Sequence, residues 1–173
     1  MTPAGQSFEP GRERWIAGLG RPREVVRQKL VTRQLMAHLP DRPLRVLDAG
    51  CGQGTQAIAL ARRGHAVRGV DSSPEMLRQA VQAAAREPEA VRGHASRSVT
   101  CSTLAVEPAY DLVCCHGVSM YLPSLSELVE SLVAAVRPGG LISLLTQPGG
   151  DRDAGGDDSR RPGGAIPAGR SPR

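Results

Sequence analysis

Three stretches of this 173-residue chain place chemically competent side chains at telling spacings. The first is Val46-Leu47-Asp48-Ala49-Gly50-Cys51-Gly52-Gln53-Gly54-Thr55, an apolar run that closes on an acid and opens into alternating glycines. Glycine lets a backbone approach a ligand closely and adopt positive φ. A dinucleotide fingerprint would read G-x-G-x-x-G/A, with a pyrophosphate resting on the following helix. Here the spacing is G-x-G-x-G, and Thr55 stands where the third glycine belongs. Asp48 would repel a pyrophosphate but favour the ammonium of a methionyl group, directly or through water. The second stretch is Val70-Asp71-Ser72-Ser73, whose acid ends the next apolar run about 20 residues further on, where a carboxylate can accept from both ribose hydroxyls. The plainer role for Asp71 is capping the next helix; its position and spacing favour the ribose. The third is His116, which follows the apolar run Asp111–Cys115. Its place at a strand end favours a site role over that of a satisfied core histidine.

Elements able to hold these residues alternate along the chain. Apolar residues near 3.6 spacing (Val25, Val26, Leu30, Leu35, Met36, Leu39) predict a helix from Pro22 to Leu39, with Pro40 stopping it. Leu44–Leu47 reads as a strand opening on Asp48. A helix over Thr55–Arg63 follows, with Gly64 as its C-terminal glycine. Ala66–Val70 is a second strand, after which Ser72 or Ser73 caps a helix running from Pro74 to about Arg86. A third strand is expected near Val91–Ala95, a fourth over Asp111–Cys115, a helix over Leu125–Val136 and a last strand over Leu141–Leu145. Continuous apolar strands between helices predict an α/β fold: a Rossmann-like three-layer αβα sandwich around a parallel sheet.

Composition narrows the function. Aromatics make up only 2% of the chain, so the core must be aliphatic and a base-stacking platform is disfavoured. The formal net charge of +5 comes mostly from scattered arginine, and scattered charge speaks weakly for a nucleic-acid partner. Cys51, Cys101, Cys114 and Cys115 form no C-x-x-C pair, and no His/Asp/Glu cluster suggests a metal. The cysteines read as small residues of a reduced, cytoplasmic protein. No apolar run is long enough to span a membrane, and residues 1–14 lack the apolar core of a secretory signal.

The run RVLDAGCGQGTQAIALARRGHAVRGVDSSPEML resembles motifs I and II of class I S-adenosylmethionine (SAM)-dependent methyltransferases. YDLVCCHGVSMYLP resembles that family's fourth strand, and VRPGGLISLLT its helix-to-fifth-strand corner. The resemblance covers about residues 22–147. Within the family, Val26-Arg27-Gln28, Arg63-Gly64-His65, His116 and the R-P-G-G-x-x-S-L corner are most similar to bacterial tRNA wobble 5-carboxymethoxyuridine methyltransferases. The resemblance implies SAM as cofactor and methyl transfer to a small nucleophile, a carboxylate on a modified tRNA uridine among them. It implies that Arg27 reaches the cofactor's carboxylate, that Asp48, Gly50, Cys51, Gly52 and Gly54 form its loop, and that Asp71 and Ser72 hold the ribose side. Ala95 and Ser96 would meet the adenine, where His94 replaces the acid that many relatives carry. His116 would stand beside the transferred methyl, as general base if the acceptor is a hydroxyl or amine.

The resemblance also implies seven strands, and the chain offers about five. Residues 1–21 read as a flexible arm, 22–147 as the methyltransferase domain, and 148–173, rich in Gly, Asp, Arg and Pro, as a disordered tail. The abrupt change after LISLLT suggests a truncated or frame-shifted product. Such a product would leave strand 141–145 as a bare edge that invites self-association. The alternative to a working methyltransferase is accordingly a non-catalytic remnant that binds SAM weakly or not at all.

Overall fold

The computed structural model describes residues 22–92, 95–96, 109–122 and 124–146. The expected arm, His94, Cys101 and the tail from 147 onward lie outside these residues. The elements are α1 (Pro22–Ala37), β1 (Arg45–Ala49), α2 (Thr55–Ala61), β2 (Ala66–Val70), α3 (Pro74–Ala85) and α4 (Glu89–Arg92). After them come β3 (Ala95–Ser96), β4 (Tyr110–His116), a 3-10 turn (Ser119–Tyr121), α5 (Leu125–Ala135) and β5 (Val136–Leu145). The strands form one sheet in the order β3-β2-β1-β4-β5, and every neighbouring pair runs parallel. The expected α/β fold with five parallel strands is therefore present.

Burial divides along the two faces of the sheet. Val46, Leu112 and Cys114 pack with Leu35 of α1 and with Leu60 and Ala61 of α2. Leu47, Ala49, Val113 and Cys115 pack with Leu128, Leu132 and Ala135 of α5. Side chains alternate across a strand, so one short apolar run on β1 or β4 feeds both clusters. Among the described residues Tyr110 is the one buried aromatic, and the rest of the core is aliphatic, thiol or, at Met76, thioether.

Local rules account for the helix starts. Ser73, not Ser72, caps α3: its hydroxyl accepts from the Met76 N–H at 3.4 Å, and Pro74 opens the helix. Ser124 caps α5 by accepting from the Glu127 N–H at 3.3 Å, the Ser-x-x-Glu spacing of a capping box. Gly64 ends α2 at φ 83°. Among the described residues no helix is long and apolar enough to cross a membrane.

Two expectations need correction. Val91 belongs to the short helix α4, and among the described residues the third strand is Ala95–Ser96, paired with Val67 and Arg68. Pro88 sets the first turn of that helix, where the Val91 and Arg92 N–H groups return to its carbonyl. The last strand begins at Val136, not Leu141, because the Pro138-Gly139-Gly140 corner bulges within it. Tyr110 pairs with Val136 and Leu112 already pairs with Leu141. A side chain at Gly140 would come within 3.0 Å of the Asp111 carbonyl, so this corner admits only glycine without movement.

The bulge serves a charge cluster at the amino ends of the strands. Asp111 Oδ1 accepts from Arg137 Nε at 2.8 Å and Arg42 at 3.1 Å, while Oδ2 accepts the Arg45 N–H at 2.8 Å. The backbone N–H of Arg45, reinforced by the two guanidinium groups, pulls the Asp111 carboxyl down to about 2. A depressed carboxyl stabilises the fold above its unfolded value and loses that contribution as pH falls through its folded value. Asp111→Asn should therefore cost about 1–2 kcal/mol near neutral pH, moderated by the exposure of Arg42 and Arg137. Thermal melts between pH 2 and 5 check this, since the variant should lose less stability on acidification than the wild type.

Candidate functional site

The sequence-singled residues gather at the carboxyl ends of β1, β2 and β4, where open α/β sheets bind their ligands. Gly50, Gly52 and Gly54 all take positive φ, at 76°, 54° and 85°. The alternating glycines are thus required by the backbone. A methyl group at Gly50 would lie 2.2 Å from Val118 Cγ2, because the segment after β4 crosses directly over the loop. Cys51 points back into the sheet: a side chain at Gly69 of β2 would come within 2.9 Å of its Sγ.

The loop is tied to β2 at three points. The Val70 carbonyl accepts the N–H groups of both Gly50 and Cys51, at 2.8 and 2.9 Å. Asp71 Oδ2 accepts the Gly52 N–H at 2.8 Å, and its Oδ1 accepts the Ser73 N–H at 2.8 Å. Asp71 is therefore first a brace between the loop and the entry to α3. Each carboxylate oxygen retains a further lone pair for a hydroxyl donor.

Asp48 is the electrostatic anomaly of the site. It is 2% exposed, and its Oδ2 finds no hydrogen-bond partner among the described residues. Burial, then the charge of Asp71, raise its carboxyl to about 7, against the opposing pull of a backbone hydrogen bond from Ala57. Burial and the Asp48 charge together push up the thiols of Cys51, Cys114 and Cys115, the last to about 12. These cysteines stay protonated and inert at neutral pH.

His116 closes the site at the end of β4. Its Nε2 lies 2.9 Å from the Ser143 hydroxyl of β5. Burial, and then the charge of Arg27 on α1, lower its pKa, so the ring is neutral at physiological pH. Residues distant in sequence are thus brought into electrostatic contact, and α1 is held in place by Thr32 donating to Gln56 of α2 at 2.8 Å. Ser72 is exposed beside Asp71. The backbone of Ala95 and Ser96 lies at the far side of β2, on the edge strand. His65, in contrast, is a core residue: its Nδ1 accepts the Leu44 N–H at 3.3 Å. Val118, a plain apolar residue, carries no signal in sequence, and Ser143 appears there only as the serine of the R-P-G-G-x-x-S-L corner, which does not announce its contact with His116. No cluster of three or more metal-ligating side chains occurs among the described residues.

Comparison with known proteins decides the family. The profile of the methyltransferase domain family matches residues 46–140, which hold the whole loop, Asp71 and His116. The chain belongs to the class I SAM-dependent methyltransferases. It is 34% identical over 116 residues to the tRNA 5-carboxymethoxyuridine methyltransferase of Escherichia coli, covering 65% of this chain and 43% of that one. Over 115 residues it is 35% identical to trans-aconitate 2-methyltransferase from Rhodopseudomonas palustris, covering 65% and 42%. A SAM-dependent methyltransferase from Mesorhizobium loti shares the fold at a TM-score of 0.54 and 26% identity, over 65% of this chain and 51% of that one. The chain spans less than half the length of the two curated relatives.

SAM is the cofactor of this family, and the residues present fit it. A sulfonium carrying an ammonium suits a loop walled by Asp48 and Asp71, whereas a pyrophosphate would meet two carboxylates. The orphaned oxygen of Asp48 is the strongest sign of a missing cationic partner.

The raised Asp48 carboxyl has a consequence for the ligand-free domain. A group whose folded value lies above its unfolded value stabilises fully below the unfolded value, and that contribution is lost as pH rises through the folded value. Between about pH 4 and 7 the free domain should lose stability with rising pH, by at most about 1.4 kcal/mol per unit for this one proton. Asp48→Asn should flatten this slope, as denaturant titrations at a series of pH values would show.

Proposed function

We propose that this domain binds SAM at the carboxyl ends of β1, β2 and β4 and transfers its methyl group to a small nucleophile. The observation that carries the reading is the buried, partnerless oxygen of Asp48 beside Asp71 on a glycine loop. The cofactor supplies a methyl group already activated on sulfonium, so the protein mainly aligns the reactants and keeps the site dry.

Asp48 would hold the ammonium group and Arg27 the carboxylate at the methionyl end. Gly50, Cys51, Gly52 and Gly54 would lie against the cofactor through their backbone. Asp71 would accept from the ribose hydroxyls with the lone pairs its two backbone bonds leave over, with Ser72 alongside. Ala95 and Ser96 would border the adenine. His116 would stand at the methyl-transfer centre, neutral and able to donate or accept one proton. A carboxylate on a modified tRNA uridine is the acceptor favoured, by similarity to the Escherichia coli tRNA enzyme. A carboxylate needs no general base; with a hydroxyl or amine acceptor, His116 would take the proton released. Such work belongs in the cytoplasm, where undermodified tRNA is available.

A second reading is a non-catalytic remnant with weak or no affinity for SAM. It rests on β5, the edge strand of the sheet among the described residues, where Leu141 and Leu144 are 40% and 38% exposed and open to self-association.

Calorimetry of the full chain with S-adenosylhomocysteine and with NAD separates these readings. The proposal expects binding of the first and none of the second. Asp71→Ala should weaken binding by roughly ten- to two-hundred-fold, since it removes hydrogen bonds to a charged acceptor. Equal affinity in wild type and variant would reject the ribose role. His116→Ala should leave cofactor affinity intact and depress methyl transfer to unmethylated tRNA by about a hundredfold or more if a base is needed. Weak or no binding of S-adenosylhomocysteine by the wild type, together with no turnover, would favour the remnant.

A further inference from the structure

We propose that Ser143 is a positioning residue for His116: its hydroxyl fixes the orientation and tautomer of the imidazole, leaving Nδ1 as the nitrogen offered to a methyl acceptor. This rests on the reading that places His116 at the transfer site, and it adds a residue from a different strand.

The geometry comes from the β4–β5 pairing. Cys114 lies opposite Ser143 and His116 opposite Leu145. Alternate residues of a strand share a face, so His116 projects on the face of Cys114, which packs in the cluster beneath α1 and α2. Ser143, the partner of Cys114, projects on that same face one step back and reaches His116 Nε2 at 2.9 Å. The charge of Arg27 on α1 also acts on the ring. The imidazole is thus bonded to a neutral hydroxyl and feels a nearby cation.

The identity of the partner matters. A carboxylate at Nε2 would favour the imidazolium and cancel the influence of Arg27. A hydroxyl carries no charge, so the ring stays neutral under the combined effect of burial and the nearby guanidinium. A neutral imidazole has one donor and one acceptor nitrogen, and the bond made by one nitrogen decides the state of the other. With Nε2 engaged by Ser143, the state of Nδ1 is set from β5. A hydroxyl that donates to Nε2 leaves Nδ1–H, suited to hold a carboxylate; a hydroxyl that accepts leaves a bare Nδ1, suited to take a proton from a hydroxyl or amine.

The test is nitrogen-15 NMR of the imidazole rings in the full chain, with His116 assigned through His116→Gln, alongside calorimetry with S-adenosylhomocysteine. The proposal expects a single fixed tautomer of His116 in the wild type and in Ser143→Thr. It expects averaging of the two tautomers in Ser143→Ala, with cofactor affinity kept. Where methyl transfer is measurable, Ser143→Ala should lower kcat about five- to tenfold, the worth of one neutral hydrogen bond, and Ser143→Thr should restore it. A wild-type ring that already averages overturns the proposal without any variant, as does a fixed tautomer that persists in Ser143→Ala. Either result leaves the cofactor reading standing, whereas failure of the wild type to bind S-adenosylhomocysteine would remove that reading by itself.

Discussion

The carbonyl oxygen of Val70 accepts two consecutive N–H groups, from Gly50 and from Cys51, and the rest of the site is arranged around that double contact. It draws the end of β1 across to the end of β2 and forces the chain to turn at Gly50 with positive φ. The turn clears room for Val118 from the segment after β4 and drops Cys51 onto Gly69. Asp71, the next residue after Val70, then reaches back to the Gly52 N–H and completes the closure. With the loop held in this way, Asp48 is sealed beneath it with one oxygen unsatisfied. The tension at Asp48 therefore follows from the backbone bonds that shape the loop.

The two ends of the sheet treat their acids in opposite ways. At the amino ends, Asp111 accepts one backbone N–H and two guanidinium groups and is stabilised as a carboxylate. At the carboxyl ends, Asp48 is buried next to a second carboxylate with far less compensation, and its charged form is penalised. The first arrangement lowers the energy of the fold on its own. The second is unfavourable until something cationic arrives, and unfavourable buried groups of this kind concentrate at functional sites. The contrast supports the proposal that the Asp48 end holds the ligand, without appeal to any relative.

Much of this was legible in sequence because it depends on near neighbours. The G-x-G-x-G spacing announced three positive-φ turns, and the apolar runs at 44–47 and 111–115 announced buried parallel strands, the first of which extends over Arg45–Ala49. The acid ending β2 was visible, but its double backbone contact was not, because the Gly52 N–H that it holds is set by how the two strands register. The same limit hid the contact of Val118 with Gly50 and that of Ser143, named in sequence only as part of the R-P-G-G-x-x-S-L corner, with His116. The Pro138-Gly139-Gly140 corner reads locally as a break, and only the register with Asp111 turns it into a bulge within a longer strand. Val91 belongs to a helical turn after Pro88, and nothing in its neighbours' side chains separates that turn from the start of a strand.

The family match covers residues 46–140, and two residues that act on His116 lie outside it: Arg27 before and Ser143 after. The matched segment contains the loop, Asp48 and Asp71, the parts proposed to hold the family's cofactor. Relatives named for acceptors as different as a tRNA uridine and trans-aconitate match this chain to nearly the same degree, at 34% and 35% identity. The alignments with these relatives run over about 115 residues and so extend beyond 46–140 into the flanks. On the proposed reading, the state of the His116 ring depends on residues brought in from those flanks. Arg27 adds a positive charge to the surroundings of the His116 ring, and Ser143 engages its Nε2, which leaves Nδ1 as the nitrogen open to a partner. Both act on a histidine held at the end of β4 by the same sheet that holds the glycine loop.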